Sequence, residues 1–251
     1  MANKRNTNTV THNANPLFDH VALVTGGSRG IGKAIARKLA ELGAAVCICG
    51  RDPKALESTA QELRELTTRV LSVPADVTNP GQVNALVQDA EKKLGPVTLL
   101  VNNAGIGNPG FGAIQEKSES DWDTVLDTNL KSVFLLSRAV APLMIQRRRG
   151  DIINISSLAG KNTFAGGALY CASKWGLQGL SGCMAEDLRA HGIRVSVICP
   201  GSVATEFSGR GPKDPSKVLT ADDVAHAVAM LALQGPQSFI SEVLLRPVSK
   251  P

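Results

Sequence analysis

From His20 onward, apolar runs of four or five residues alternate with longer stretches in which apolar positions recur every three or four residues. A short continuous apolar run suits a strand covered on both faces, and the longer period suits an amphipathic helix. Strands are predicted at Val21–Thr25, Ala45–Cys49, Val70–Val73, Val97–Val101, Asp151–Ser156, Val195–Cys199 and Phe239–Leu245. Helices are predicted at Ile31–Leu42, Pro53–Leu66, Gln82–Leu94, Trp122–Arg149, Gly167–Ala190 and Thr220–Leu233. Several helix starts are written in the chain. Asp52-Pro53 and Asn79-Pro80 each place a capping acceptor before a proline at the first helical position. Thr220 and Asp223 have the spacing of a capping box. About seven strands with helices between most of them predict an α/β fold. Its core would be a doubly wound, parallel, seven-stranded sheet with helices on both faces, in a single domain over residues 20–251. Ligands of such a sheet bind where strand C-termini meet helix N-termini.

Composition narrows this picture. The chain has 251 residues, 43% of them hydrophobic and 20% charged, which suits a globular core that needs no disulfide staples. No apolar run reaches the length of about 18 residues that suggests a membrane span. Residues 1–19 are rich in Asn and Thr and poor in apolar side chains, and read as a flexible N-terminal extension. A targeting role is the alternative, without the apolar stretch of a secretory signal. Net charge is a mild +5. Its densest run, Arg147-Arg148-Arg149 before Gly150, reads as the last turn of a helix with a glycine cap; a patch for nucleic acid or an anionic membrane is the alternative. Neither nucleic acid nor membrane is an expected partner. The five cysteines, Cys47, Cys49, Cys171, Cys183 and Cys199, are odd in number and form no Cys-x-x-Cys pair. With no clustered histidines, no metal site is expected. The cysteines read as buried free thiols of a reducing, cytoplasmic compartment, with Cys47 and Cys49 facing the same way.

The first strand runs into Thr25-Gly26-Gly27-Ser28-Arg29-Gly30-Ile31-Gly32. Glycines at 26, 30 and 32 allow a tight turn and close backbone approach, and the following helix points its N-terminus at a phosphate. The spacing is Gly-x-x-x-Gly-x-Gly. At the end of the second strand, where NAD-selective sites place a carboxylate on the ribose diol, stands Gly50, followed by Arg51. Arg29 and Arg51 could flank a 2′-phosphate in bidentate fashion. Asp52 competes as a ribose ligand, but helix capping accounts for it. NADP(H) is the preferred cofactor; NAD(H) is the alternative.

With these residues the chain resembles the classical short-chain dehydrogenase/reductase family, over about residues 20 to 245. The motifs run in order: Thr25–Gly32, Asp76-Val77, Asn102-Asn103-Ala104-Gly105, Asn129, Ser157, Tyr170-Cys171-Ala172-Ser173-Lys174 and Pro200-Gly201. The resemblance implies a Rossmann-like, NAD(P)-binding oxidoreductase. By the same likeness Gly26, Ser28, Arg29, Gly30, Ile31 and Gly32 hold phosphate, and Asp76 and Val77 hold the adenine. Asn103, Ala104 and Gly105 pass the adenosine ribose, and Pro200, Gly201, Val203 and Thr205 border the nicotinamide. Asn129, Ser157, Tyr170 and Lys174 form the implied catalytic tetrad, with Tyr170 and Lys174 also touching the cofactor. The family's spacing favours Ser157 over its neighbour Ser156. A homotetramer or homodimer is the implied assembly. The tail Phe239–Pro247 lacks the family's usual glycines, which leaves the kind of oligomer open.

The chemistry fits. Reducing a ketone takes a hydride to carbon and a proton to oxygen. Tyr170 and Lys174 are four apart on a helix and share a face, so the ammonium is expected to pull the phenol below its ordinary pKa of about 10. Ser157 would donate to the oxygen as charge builds on it. Asn129 would hold a water linking Lys174 to solvent; otherwise it is a polar residue on a helix surface. Trp175 and Leu177 are expected to pack that helix. Glu206–Leu219 reads as a mobile, positively charged lid, and Leu158, Phe164 and Phe207 as an apolar lining. The substrate would be a small carbonyl or alcohol, or an acyl thioester, with 3-oxoacyl thioester reduction the most specific reading. A polyol or sugar dehydrogenase using NAD is the alternative, together with an extended-subgroup epimerase and a non-catalytic dinucleotide sensor.

Overall fold

The computed structural model describes residues 15–107, 112–205, 214 and 217–249. Most of the expected N-terminal extension and most of the expected lid, with Phe207, lie outside them. Seven strands, β1 (Val21–Thr25), β2 (Ala45–Gly50), β3 (Val70–Pro74), β4 (Leu99–Asn102), β5 (Gly150–Ile155), β6 (Ile193–Pro200) and β7 (Glu242–Leu245), form one sheet in the order β3-β2-β1-β4-β5-β6-β7. Every pairing is parallel. The order reverses between β1 and β4, which opens a crevice at the strand C-termini.

The helices are α1 (Gly30–Glu41), α2 (Pro53–Arg64), α3 (Pro80–Leu94), α4 (Glu119–Leu126), α5 (Ser132–Arg147), α6 (Ala168–Arg189) and α7 (Ala221–Ala232). Side chains alternate across the strands. Ala22, Val24, Val46, Ile48, Leu99 and Val101 pack with α1, α2 and α7, whereas Leu23, Cys47, Cys49, Leu100 and Ile152 pack with α3, α5 and α6. This double coverage explains the unbroken apolar runs. Cys47 and Cys49 share a face as expected. Asp52, Asn79 and Thr220 cap α2, α3 and α7 through their side chains.

Several expectations need correction. Leu17 is fully buried and joins the first core face, and its amide donates to Leu42 O at 2.9 Å, so packed chain begins before residue 20. The single helix expected over Trp122–Arg149 is in fact α4, a π-helical turn over Asp127–Lys131, and α5. It also starts earlier, at a capping box made by Ser118 and Asp121. Gly150 does not cap α5. The left-handed position falls to Arg148 (φ 51°), the one described non-glycine residue with positive φ, while Gly150 opens β5 against Met144. Arg147 pairs with Glu91, and Arg149 meets His20 Nε2 at 3.2 Å, so the basic run is tied into the base of the fold. β7 is shorter than expected, because side chains replace strand bonds ahead of it: Gln234 accepts from Ile240 N at 2.9 Å and Ser196 donates to Ile240 O at 2.6 Å. Cys183 is exposed, unlike the other four free cysteines, and Trp175 is half exposed, leaving Leu177 to pack α6. Among the described residues no helix is long and apolar enough to cross a membrane, and no cluster of three His, Cys, Asp or Glu could hold a metal ion.

Candidate active site

One cleft of about 1930 Å³ runs along the C-terminal edge of the sheet. That exceeds the roughly 300–1,000 Å³ of a typical small-ligand pocket and gives room for a dinucleotide beside a substrate. All the catalytic and cofactor residues expected from the sequence line it except Asn129.

At one end lies the turn between β1 and α1. Gly26 and Gly30 take φ of +64° and +53°, and a Cβ on Gly32 would stand 2.1 Å from Gly26 O. The N-cap residue Arg29 makes no side-chain cap bond, and the first turn of α1 has no acidic side chain, so its amides and dipole favour an anion. The turn is braced from β4. Thr25 Oγ1 accepts from Asn103 N (3.0 Å) and Ala104 N (2.9 Å), and Asn103 Nδ2 donates to Thr25 O and Gly26 O (2.9 and 3.3 Å). Asn103 therefore shapes the glycine turn, a job that its motif position did not reveal.

The next stretch of cleft suits a nucleoside. Gly50 ends β2, and a Cβ there would be 3.5 Å from Ser28 Oγ, so no carboxylate occupies the ribose position. Asp52 Oδ1 is taken by Lys54 N and Ala55 N, which bears out its capping role. Asp76 Oδ1 accepts from the amide and hydroxyl of Thr78, which leaves Oδ2 for a ligand. Those bonds, with Arg51 nearby, hold the Asp76 carboxyl below the usual range against the opposing pull of burial. Arg29 and Arg51 are both exposed at this end. The residues present thus fit a dinucleotide.

The other end gathers the residues expected to be catalytic. Ser157 ends the run from β5 and caps a short 3₁₀ turn, Leu158–Gly160, accepting from Ala159 N at 3.1 Å. Its hydroxyl is hydrogen-bonded to Tyr170. Its neighbour Ser156 is buried, with Oγ accepting from Gln178 Nε2 at 2.8 Å. Lys174 is buried, with Nζ donating to Ile155 O at 3.0 Å and standing 5.8 Å from the Tyr170 ring centroid. The expected depression of the phenol is not seen. Burial pushes the Tyr170 hydroxyl up to about 12, only partly offset by the Ser157 bond, and burial pulls Lys174 down to about 8. In each case the first cause is loss of water around the charged form.

Asn129 sits behind the cleft in the π-helical turn, a common place for a functional residue. It is no surface residue. At 1% exposure, its Nδ2 donates to Ile106 O (3.0 Å) and Ser173 Oγ (3.1 Å), and its Oδ1 accepts from Ile106 N (2.8 Å). Both amide protons are used, so a bound water can reach this side chain only at the second lone pair of Oδ1. A Cβ on Gly105 would stand 3.2 Å from that oxygen and 3.9 Å from Lys174 Nζ, so the bare glycine keeps the two groups in reach. Leu158 and Phe164 line this end as expected, joined by Ile106, Asn162 and Thr163, which no sequence motif marked.

The sequence model of the short chain dehydrogenase family matches residues 20–215. A Streptomyces violaceoruber protein provisionally named ketoacyl reductase 1 of the granaticin polyketide synthase is 44% identical over 192 residues, covering 76% of this chain and 70% of its own. Nodulation protein G of Rhizobium meliloti is 40% identical over 221 residues, covering 84% of this chain and 88% of its own. Among solved structures, a metagenomic short-chain oxidoreductase in complex with NADP superposes with a TM-score of 0.82 at 44% identity, covering 94% of this chain and all (100%) of its own. The closed form of a serine dehydrogenase complexed with NADP+ gives 0.86 at 31% identity, covering 92% and 96%. The chain belongs to the short chain dehydrogenase family. It is an oxidoreductase working between a carbonyl and a CH–OH carbon.

Proposed function

We propose that the protein uses NADP(H) to interconvert a carbonyl and a secondary alcohol, with a 3-oxoacyl thioester as the preferred substrate. The observation that carries the reaction is the convergence of Ser157, Tyr170 and Lys174 at one end of a cleft whose other end is a glycine turn. A bound nicotinamide dinucleotide supplies or accepts the hydride. Tyr170 gives the proton to the developing alkoxide, and its high pKa keeps it protonated for that task at neutral pH. Ser157 donates to the same oxygen and steadies its charge. Lys174 orients the cofactor ribose and supports the tyrosine, while Asn129 anchors the water through which Lys174 exchanges protons with solvent. The thioester assignment is supported by the likeness to the Streptomyces reductase.

NADP(H) preference is supported by Gly50 in place of a carboxylate, by Arg51 beside it, and by solved relatives that hold NADP. The test is a screen of 3-oxoacyl thioesters, ketones and polyols with NADPH and NADH. Thioester reduction is expected to be fastest, and Arg51→Ala is expected to weaken NADPH binding about tenfold or more while leaving NADH binding nearly unchanged. Equal losses for both cofactors would overturn the 2′-phosphate assignment, and inertness toward every carbonyl and alcohol would leave only a sensor role.

A cytoplasmic location is supported by five free thiols. A homo-oligomer is supported by the half-exposed Phe134 on α5 and Trp175 on α6, large apolar side chains suited to burial against a second copy. Sedimentation velocity reads this directly, and a monomer at micromolar concentration would refute it.

A further inference from the structure

Tyr170, Lys174 and Gln178 are four residues apart on α6 and form one stripe along successive turns. Each grips a different residue at the end of β5. Tyr170 is hydrogen-bonded to Ser157, Lys174 Nζ donates to Ile155 O at 3.0 Å, and Gln178 Nε2 donates to Ser156 Oγ at 2.8 Å. The reaction proposed above uses the first two. It gives no task to the third.

Gln178 also closes a ring around the serine loop. Its Nε2 lies 3.2 Å from Cys199 Sγ as a second acceptor, the Cys199 thiol donates to Glu242 Oε1 at 3.7 Å, and that oxygen pairs with Lys161 Nζ at 2.6 Å. Lys161 directly follows the 3₁₀ turn that Ser157 caps, so the ring returns to its start. It ties the loop after β5 to α6, β6 and β7. The turn is pressed onto this junction: a Cβ on Gly160 would stand 2.8 Å from Lys174 O, 2.9 Å from Gln178 Nε2 and 3.1 Å from Ser156 Oγ. The backbone amide of Ser156 is held as well, donating to Ile198 O at 2.8 Å. Ser156 is thus fixed by main chain and side chain, which leaves Ser157 little freedom other than its own rotamer.

We propose that Gln178 is a positioning residue for Ser157, acting through Ser156 and the adjoining turn. The proposal rests on the reading of Ser157 as the donor to the reacting oxygen. The physical argument is one of tolerance. A hydrogen-bond donor stabilises developing charge only within a few tenths of an ångström of its proper place. Without the Gln178 amide, the buried Ser156 hydroxyl loses its donor and must turn to find another partner, which loosens the segment that carries Ser157.

The test uses Gln178→Met, which keeps side-chain length and removes the donor, and Ser156→Ala, which removes the acceptor by a small and fold-tolerant change. Ser157→Ala is measured in parallel. Turnover is followed with NADPH and the carbonyl compound reduced fastest in the screen, and NADPH binding is followed by its fluorescence. Gln178→Met and Ser156→Ala are each expected to lower kcat about tenfold, with KM and NADPH affinity changed less than twofold. The double variant should be no slower than either single one, and Gln178→Met should cost nothing further in a Ser157→Ala background. Wild-type kcat in both single variants, losses that multiply in the double variant, or a loss in KM or NADPH affinity in place of kcat would overturn the positioning role. Undiminished turnover in Ser157→Ala would overturn the reading of Ser157 itself, and with it this inference. Full turnover in Gln178→Met and Ser156→Ala beside a dead Ser157→Ala would overturn the inference alone.

Discussion

Replacing Tyr170 with phenylalanine is expected to lower kcat by roughly 10²- to 10⁴-fold, the usual contribution of a positioned acid–base group, while NADPH still binds. The ring stays, so packing on α6 is kept, and only the hydroxyl that bonds Ser157 is lost. Measured kcat near the wild-type value would end the assignment of Tyr170 as proton donor. The pH profile provides a second reading of the same pair. In the reducing direction the phenol must be protonated, and burial keeps it so up to about 12. The ammonium of Lys174 is the group that titrates first, because burial holds it at about 8. A group with lowered pKa carries its charge only below that value. The reduction rate is therefore expected to be flat below about pH 8 and to fall above it, and a flat rate up to pH 10 would show that the charge on Lys174 is not used.

These two shifts mark a limit of sequence reasoning. Tyr170 and Lys174 one turn apart suggested an ammonium pulling a phenol down. The spacing was right, and the sign was set by something no spacing records. Burial takes water from both groups and moves each toward its neutral form. The choice between Ser156 and Ser157 has a similar origin. Adjacent serines look alike in a chain, but their partners differ: Gln178 on α6 donates to the first hydroxyl, and the second caps the 3₁₀ turn. Asn129 was legible as a motif member, but its place in a π-helical turn was not, because a five-residue widening leaves no periodic signal within a long helical stretch. What was legible depended on local rules. Capping by Asp52, Asn79 and Thr220 needs only neighbours in sequence, and the strand runs were apolar because helices cover both faces. Arg148 in the left-handed region shows the same rules failing, since a glycine two residues on was the obvious candidate for that position.

The glycine turn shows how geometry ranks residues that look equivalent in a motif. Gly32→Ala is expected to abolish measurable NADPH binding and to destabilise the fold by about 1–3 kcal/mol, the usual range for overpacking. The added Cβ would stand 2.1 Å from Gly26 O and 2.5 Å from Asn103 Nδ2. Neither neighbour can yield cheaply: one is main chain, and the other braces the turn through Thr25 O and Gly26 O. Relief requires moving α1 away from β1, which takes the amides of its first turn off the phosphate position. Gly30→Ala is the contrasting case. Its Cβ would meet nothing closer than Thr205 at 3.7 Å, so its cost is the left-handed backbone alone, about 1 kcal/mol. Denaturant unfolding should rank Gly32→Ala below Gly30→Ala, and NADPH titration should separate them further. Binding by Gly32→Ala at wild-type affinity would show that α1 can retreat without loss, and that its N-terminus is not what holds the phosphate.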